Sequence, residues 1–125
     1  MSWTEAEKVC IASGGDLASI TSGGTDAFLK AKGNEDFWIG GTDQDHEGKW
    51  RWTDESLWIY TNWASGEPSG ASWWLGKKED CLMMDFSNGA WNDEVCSSPL
   101  RSFCSERICS GKCSFPNILS QNPSR

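Results

Sequence analysis

Histidine, basic residues and long apolar runs are what this chain of 125 residues has least of. Its only histidine, His46, stands beside Glu47, so no HExxH pair can bind zinc, and His46 reads as an exposed loop residue. The serines have no histidine or lysine partner set at a recognisable spacing, so nucleophilic catalysis is a poor fit and no enzyme activity is expected. No apolar run approaches the ~20 residues of a membrane span. Lys and Arg number 11 against 18 acids, a net charge of −7, which argues against a nucleic-acid partner and against simple attraction to an anionic membrane. An acidic surface does attract cations. CxxC pairs are also absent, which disfavours zinc ribbons and thioredoxin-like sites. The 6 cysteines fit disulfides in an oxidising compartment, and the chain is expected to be secreted or extracellular. Met1-Ser2-Trp3 leads directly into a helical pattern, so the reading is of a mature chain or fragment without a targeting segment.

What is present is one domain's worth of sequence with 9 tryptophans, enough for a core of large rings with some left over for contact. Ser2-Trp3-Thr4-Glu5 has the form of a capping box, and Trp3, Ala6, Val9 and Cys10 follow on one helical face until Gly14-Gly15. Asp16 to Ile20 suits a short extended segment. Thr25 to Lys32 predicts a second helix with Phe28 and Leu29 inward and Gly33-Asn34 as the stop. Strands are expected at 37–41, 49–53, 81–86, 90–96 and 101–106, with Ser87-Asn88-Gly89 turning 81–86 into 90–96 as a hairpin. Of the Trp50/Trp52 pair, one ring belongs to the core and the other to the opposite face of its strand. Residues 64–78 are rich in glycine and serine and read as a long loop. Residues 107–125 lose all periodicity and read as a C-terminal tail, closed on itself by Cys109–Cys113. Both helices fall in the first third, so the order suggests α+β rather than βαβ.

The stretch from Glu67 to Asp93 organises this plan. Glu67, Glu79, Asn92 and Asp93 flank two cysteines and three turn signals. A calcium ion takes about six to eight oxygen ligands in irregular geometry, and oxygen-bearing side chains at the ends of short cross-linked segments can supply them. The spacing is not that of an EF-hand loop, so the ligands must converge through tertiary folding. A calcium-dependent binding surface is the expectation.

Over residues 2–106 the chain resembles a C-type lectin-like domain. The resemblance is carried, in order, by Trp3-Thr4-Glu5-Ala6-Glu7-Lys8-Val9-Cys10, Gly15-Asp16-Leu17-Ala18-Ser19-Ile20, Trp38-Ile39-Gly40-Gly41, Glu67-Pro68-Ser69, Trp91-Asn92-Asp93 with Cys96, and Phe103-Cys104. It implies an α+β fold: two helices on short antiparallel sheets, a long calcium-binding loop region, residues 1–106 as the domain, and disulfides Cys10–Cys104 and Cys81–Cys96, each contributing ~2–4 kcal/mol. It further implies a principal Ca2+ held by Glu67, Ser69, Glu79, Asn92 and Asp93, with the Asp93 carbonyl as an extra ligand and two neighbouring sugar hydroxyls completing the shell. The Glu67-Pro68 bond is expected to be cis, which costs an X–Pro bond only ~0.5–1 kcal/mol. Glu67 points to the mannose/glucose/fucose class, with microbial surface glycans and innate immunity as the family-level setting; assembly into oligomers is compatible with this.

The chain departs from the family pattern in several places. Ser69 replaces an amide or carboxylate, and a shorter hydroxyl implies weaker calcium binding and relaxed selectivity. The long segment after Ser69 carries Trp73-Trp74, rings suited to stacking on a sugar face or to anchoring the loop. An auxiliary Ca2+ is implied at Asp43, Glu47 and Asp80, although Gly70 stands where a further acid belongs. The strand that ordinarily precedes the first helix is missing, which implies either a native chain that begins earlier or a sheet edge left open. The competing reading is a calcium-independent protein- or lipid-binding module on the same scaffold.

Overall fold

In the computed structural model, residues 1–69, 78–109 and 113–122 are described, with side chains up to Glu106. Helix α1, Trp3–Ala12, starts as its capping box dictates: the Ser2 hydroxyl accepts from the Glu5 N–H, and the Glu5 carboxylate accepts from the Ser2 N–H. It ends at Ser13, and Gly14 takes φ +94° to turn the chain into β1, Gly15–Leu17. Trp3, Ala6 and Cys10 are buried as expected, but Val9 is exposed and Glu7 is half-buried in its place. At 3.6 residues per turn, Glu7 stands closer to the middle of the Trp3–Ala6–Cys10 stripe than Val9 does.

The second helix, α2, spans Gly23–Lys32 and is capped by the Ser22 hydroxyl, which accepts from the Thr25 N–H. Leu29 is fully buried. Phe28, expected inward, is exposed and lies under the Lys32 ammonium, 5.3 Å from the ring centre. The inward residue besides Leu29 is Asp26. Its carboxylate accepts from Trp91 Nε1 at 2.8 Å and Asn62 Nδ2 at 2.9 Å, and burial raises its pKa against the pull of those donors.

The remaining strands are β2 (Phe37–Thr42), β3 (Arg51–Trp52), β4 (Cys81–Met84), β5 (Trp91–Glu94), β6 (Arg101–Cys109) and β7 (Cys113–Asn122). They form one sheet with the path β1-β6-β2-β4-β5, β3 beside β2 and β7 beside β6. All pairings are antiparallel except β2 with β6, so the sheet is mixed rather than purely antiparallel. The strand expected at 49–53 shortens to two residues. Of segment 107–125, expected as a tail, the described residues are strand: β6 runs on to Cys109, and β7 pairs its backbone with β6 from Ser102↔Asn122 to Cys109↔Cys113. The sheet edge expected to be open is thereby covered. The expected Cys109–Cys113 bond falls on side chains outside those described.

Two buried clusters fill the fold. One gathers Ile20, Leu29, Phe37, Ile39, Trp52, Leu82, Trp91 and Phe103; half-buried Trp50, Trp58, Tyr60 and Trp63 pack against it. The other surrounds the Cys10–Cys104 disulfide with Trp3, Leu17, Trp38 and Met83. The second disulfide, Cys81–Cys96, ties the start of β4 to the chain just beyond β5.

Between α1 and β1 the Glu7 carboxylate accepts from the Leu17 N–H at 2.8 Å and adjoins the buried Asp16. Burial first, then the Asp16 carboxyl, raises the Glu7 pKa from 4.5 to about 7. The folded chain therefore holds a proton here that the unfolded chain releases between pH 4.5 and about 7. This contribution to stability is fully present below pH 4.5, falls as pH rises through that window, and is level above it. Glu7→Gln keeps the Leu17 acceptor and lacks the proton equilibrium. In chelator, the drop in melting temperature between pH 5 and pH 8 is expected to be smaller for the variant than for the parent. Equal drops would show that Glu7 titrates normally.

Candidate functional site

Site residues come from three segments, and the hydrogen-bond network shows how they meet. Trp91, oriented by Asp26, bridges to Trp63; its N–H donates to the Asn62 carbonyl at 2.8 Å and its carbonyl accepts from the Ala64 N–H at 2.9 Å. Asn62–Ala64 is thus laid along the start of β5. Gly66 at φ +81° then turns the chain, with the Glu67 N–H donating back to the Ala64 carbonyl, and the Glu67-Pro68 peptide is cis. On the other side, β4 pairs with β5 in the register Cys81↔Glu94 and Leu82↔Asp93, which sets Glu79, two residues before Cys81, at the same end of the hairpin as Asp93.

Glu67, Ser69, Glu79 and Asp93 therefore converge. The Ser69 N–H donates to Glu67 Oε1 and to Asp93 Oδ1, each at 3.0 Å. The Ser69 hydroxyl donates to Glu79 Oε1 at 2.6 Å and lies 3.3 Å from Asp93 Oδ1. Asp93 is buried, whereas Ser69 is exposed. Burial, followed by the adjoining Asp93 carboxyl and repulsion from Glu79, raises the Glu67 pKa to about 7. Asn92 is half-buried, and its Oδ1 is enclosed without a hydrogen-bond partner among the described residues. Three carboxylates drawn together on Ser69 make an oxygen-rich group of the type that hard cations such as calcium take, and Asn92 adjoins it through its chain neighbour Asp93. Trp73 and Trp74, expected at this surface, lie outside the described residues, as does Gly70.

A second group lies one residue further along. Asp43, Glu47 and Asp80 bring one carboxylate oxygen each to within 4.8 Å of one another. Asp43 Oδ2 accepts from the Gly48 N–H at 2.9 Å, while Asp43 Oδ1 and Asp80 Oδ1 are buried and unpartnered among the described residues. Burial, then the Asp80 and Glu47 carboxyls, raises the Asp43 pKa to about 7. Glu79 and Asp80 are adjacent, so the two acidic groups share one stretch of backbone before β4. Neither Asp26, which aims Trp91 and so β5, nor the Ser69 N–H, which draws Glu67 to Asp93, is signalled by sequence pattern; both depend on contacts between distant segments.

Residues 1–106 match the family model described as the lectin C-type domain, and the chain belongs to that family. Among its relatives, the mouse low affinity immunoglobulin epsilon Fc receptor is 38% identical over 124 residues, covering 98% of this chain and 36% of the receptor. The galactose-specific lectin nattectin of Thalassophryne nattereri is 33% identical over 114 residues, covering 86% of this chain and 69% of nattectin. The chain thus spans only about a third of that receptor's length, as domains commonly do in longer proteins. Among solved structures, the cow C-type carbohydrate-recognition domain of CD23, determined in the presence of a GlcNAc2Man3 oligosaccharide, superposes with TM-score 0.72 at 38% identity, covering 78% of this chain and 73% of that one. A calcium-independent type II antifreeze protein superposes with TM-score 0.76 at 31% identity, covering 83% and 77%. Family membership supports carbohydrate binding in general and a binding protein rather than an enzyme. The family generally binds calcium, although the antifreeze relative is calcium-independent. Among the described residues no helix is long and apolar enough to cross a membrane.

Proposed function

We propose that this chain binds carbohydrate through a Ca2+ held by Glu67, Glu79, Asn92 and Asp93, with Ser69 at the same site, and that it prefers mannose-, glucose- and fucose-type sugars with relaxed selectivity. The observation that carries this reading is the convergence of the Glu67, Glu79 and Asp93 carboxylates on Ser69. Gathering like charges costs free energy that a bound divalent cation offsets. Glu67, Glu79, Asn92 and Asp93 would hold the ion, which would supply coordination for two neighbouring sugar hydroxyls, and those hydroxyls would donate hydrogen bonds to the surrounding carboxylates. Asp43, Glu47 and Asp80 are the proposed holders of an auxiliary Ca2+ that would brace the backbone carrying Glu79. The setting we infer is extracellular, with microbial surface glycans as ligands in innate defence.

Columns bearing mannose, fucose and galactose test this. Retention on mannose and fucose in calcium, weaker retention on galactose, and release by chelator are expected. The antifreeze relative motivates the competing reading, a calcium-independent protein- or lipid-binding surface. Retention indifferent to chelator, or no retention on any sugar column, would favour it.

A further inference from the structure

Helix α2 carries none of the proposed calcium ligands, yet two segments that do carry them are fastened to its residue Asp26. Asp26 is buried, and its carboxylate oxygens serve different partners: Oδ1 accepts from Trp91 Nε1 at 2.8 Å and Oδ2 from Asn62 Nδ2 at 2.9 Å. Both partner atoms only donate, so the position must supply two acceptors. A carboxylate does this. An asparagine would turn its amide nitrogen on one of the two donors. The Asn62 amide also donates to the Gly89 carbonyl at 3.0 Å, and the Lys30 side chain, one turn beyond Asp26, lies over Gly89, so α2 holds the β4–β5 turn as well.

From these anchors the chain leads to the site in two directions. Trp91 is followed on β5 by Asn92 and Asp93. The Asn62 carbonyl accepts from the Trp91 N–H, the Ala64 N–H donates to the Trp91 carbonyl, and the Ala64 carbonyl accepts from the Glu67 N–H. One carboxylate thus clasps both the ring that starts β5 and the segment that ends at Glu67.

We propose that Asp26 is a positioning residue for the calcium site: it holds β5 and residues 62–67 at the spacing where Glu67 and Asp93 meet, and it couples calcium occupancy to α2. This rests on the calcium reading above and extends it to a residue outside the ligand set. With the clasp broken, the site is assembled in only a fraction of molecules, and calcium affinity falls by that fraction. Linkage makes the effect reciprocal, so a bound ion closes the clasp and steadies α2.

Calcium titration and amide hydrogen exchange on the parent, Asp26→Asn, and Asp26→Asn combined with Asn62→Asp test this. Asp26→Asn is expected to bind calcium about tenfold more weakly, the scale of one lost hydrogen bond to a charged group. The combined variant swaps donor and acceptor between the two positions and keeps an oxygen for Trp91 Nε1. It gives up only the Gly89 contact and is expected to regain most of the affinity. In the parent, calcium is expected to slow exchange of the α2 amides more than that of the α1 amides, whereas in Asp26→Asn the two helices respond alike. Asn62→Ala cuts the same link from the loop side and is expected to weaken calcium binding about threefold, which keeps the test intact if Asp26→Asn does not fold. The coupling is overturned, with the calcium reading left standing, by any of three results: unchanged calcium affinity in Asp26→Asn (in Asn62→Ala if the former does not fold), no recovery in the combined variant, or equal slowing of both helices in the parent. A parent chain that binds no calcium overturns both.

Discussion

Asp93→Asn is expected to abolish calcium-dependent sugar retention while leaving the chelated protein at least as stable as the parent. Asp93 is buried on β5, and its Oδ1 receives both donors of Ser69. An asparagine has nearly the same shape and keeps an oxygen that can accept the Ser69 N–H. What it removes is one negative charge among three. Calcium affinity depends on ligand charge count, and a loss on the order of 100-fold is expected, read by calorimetric titration. In chelator the same substitution relieves repulsion on Glu67, whose pKa is raised partly by Asp93. Binding and stability then move in opposite directions, which a structural role could not produce. Calcium affinity within threefold of the parent, or a chelated variant that melts well below it, would show that Asp93 serves the fold instead.

How legible this molecule is from its residues depends on the range of the interactions involved. The capping box of α1 and the Ser87-Asn88-Gly89 turn between β4 and β5 are local, and the structure places both where the pattern does. The helix faces were harder. Ten-residue helices give each face only two or three votes, and hydrophobicity alone ranks Val9 above Glu7 and Phe28 above Asp26. Half-buried Glu7 and buried Asp26 turn inward because each finds donors from distant segments: the Leu17 N–H for Glu7, and the Trp91 and Asn62 side chains for Asp26. β7 was not legible because its sequence carries Pro116 and no sustained alternation, while its pairing is made by backbone groups along β6. At the candidate site the residue types and their order come from motif resemblance. Their convergence depends on Asn62–Ala64 lying along Trp91, a contact no spacing rule contains.

The two disulfides are expected to separate stability from binding. Cys10–Cys104 joins α1 to β6 across 94 residues, and both sulfurs are buried among Trp3, Leu17 and Trp38. In the chain-entropy model a loop of that size contributes ~4.7 kcal/mol, against ~3 kcal/mol for one of about 15 residues. Against a typical total of ~5–15 kcal/mol, Cys10→Ala with Cys104→Ala is therefore expected to lower the melting temperature by on the order of 15 °C in chelator. None of the proposed ligands sits on α1 or β6, so the calcium affinity of whatever fraction stays folded should be nearly unchanged. Cys81–Cys96 spans only 15 residues but clamps the hairpin end where Glu79 meets Asp93. Cys81→Ala with Cys96→Ala should cost less in melting temperature and more in calcium affinity, because β4 and β5 can splay at the site. Calorimetric titration and thermal scans of the two double variants side by side decide this. If the long-range pair weakened calcium binding more than the hairpin pair, the site would depend on the global frame rather than on the β4–β5 clamp.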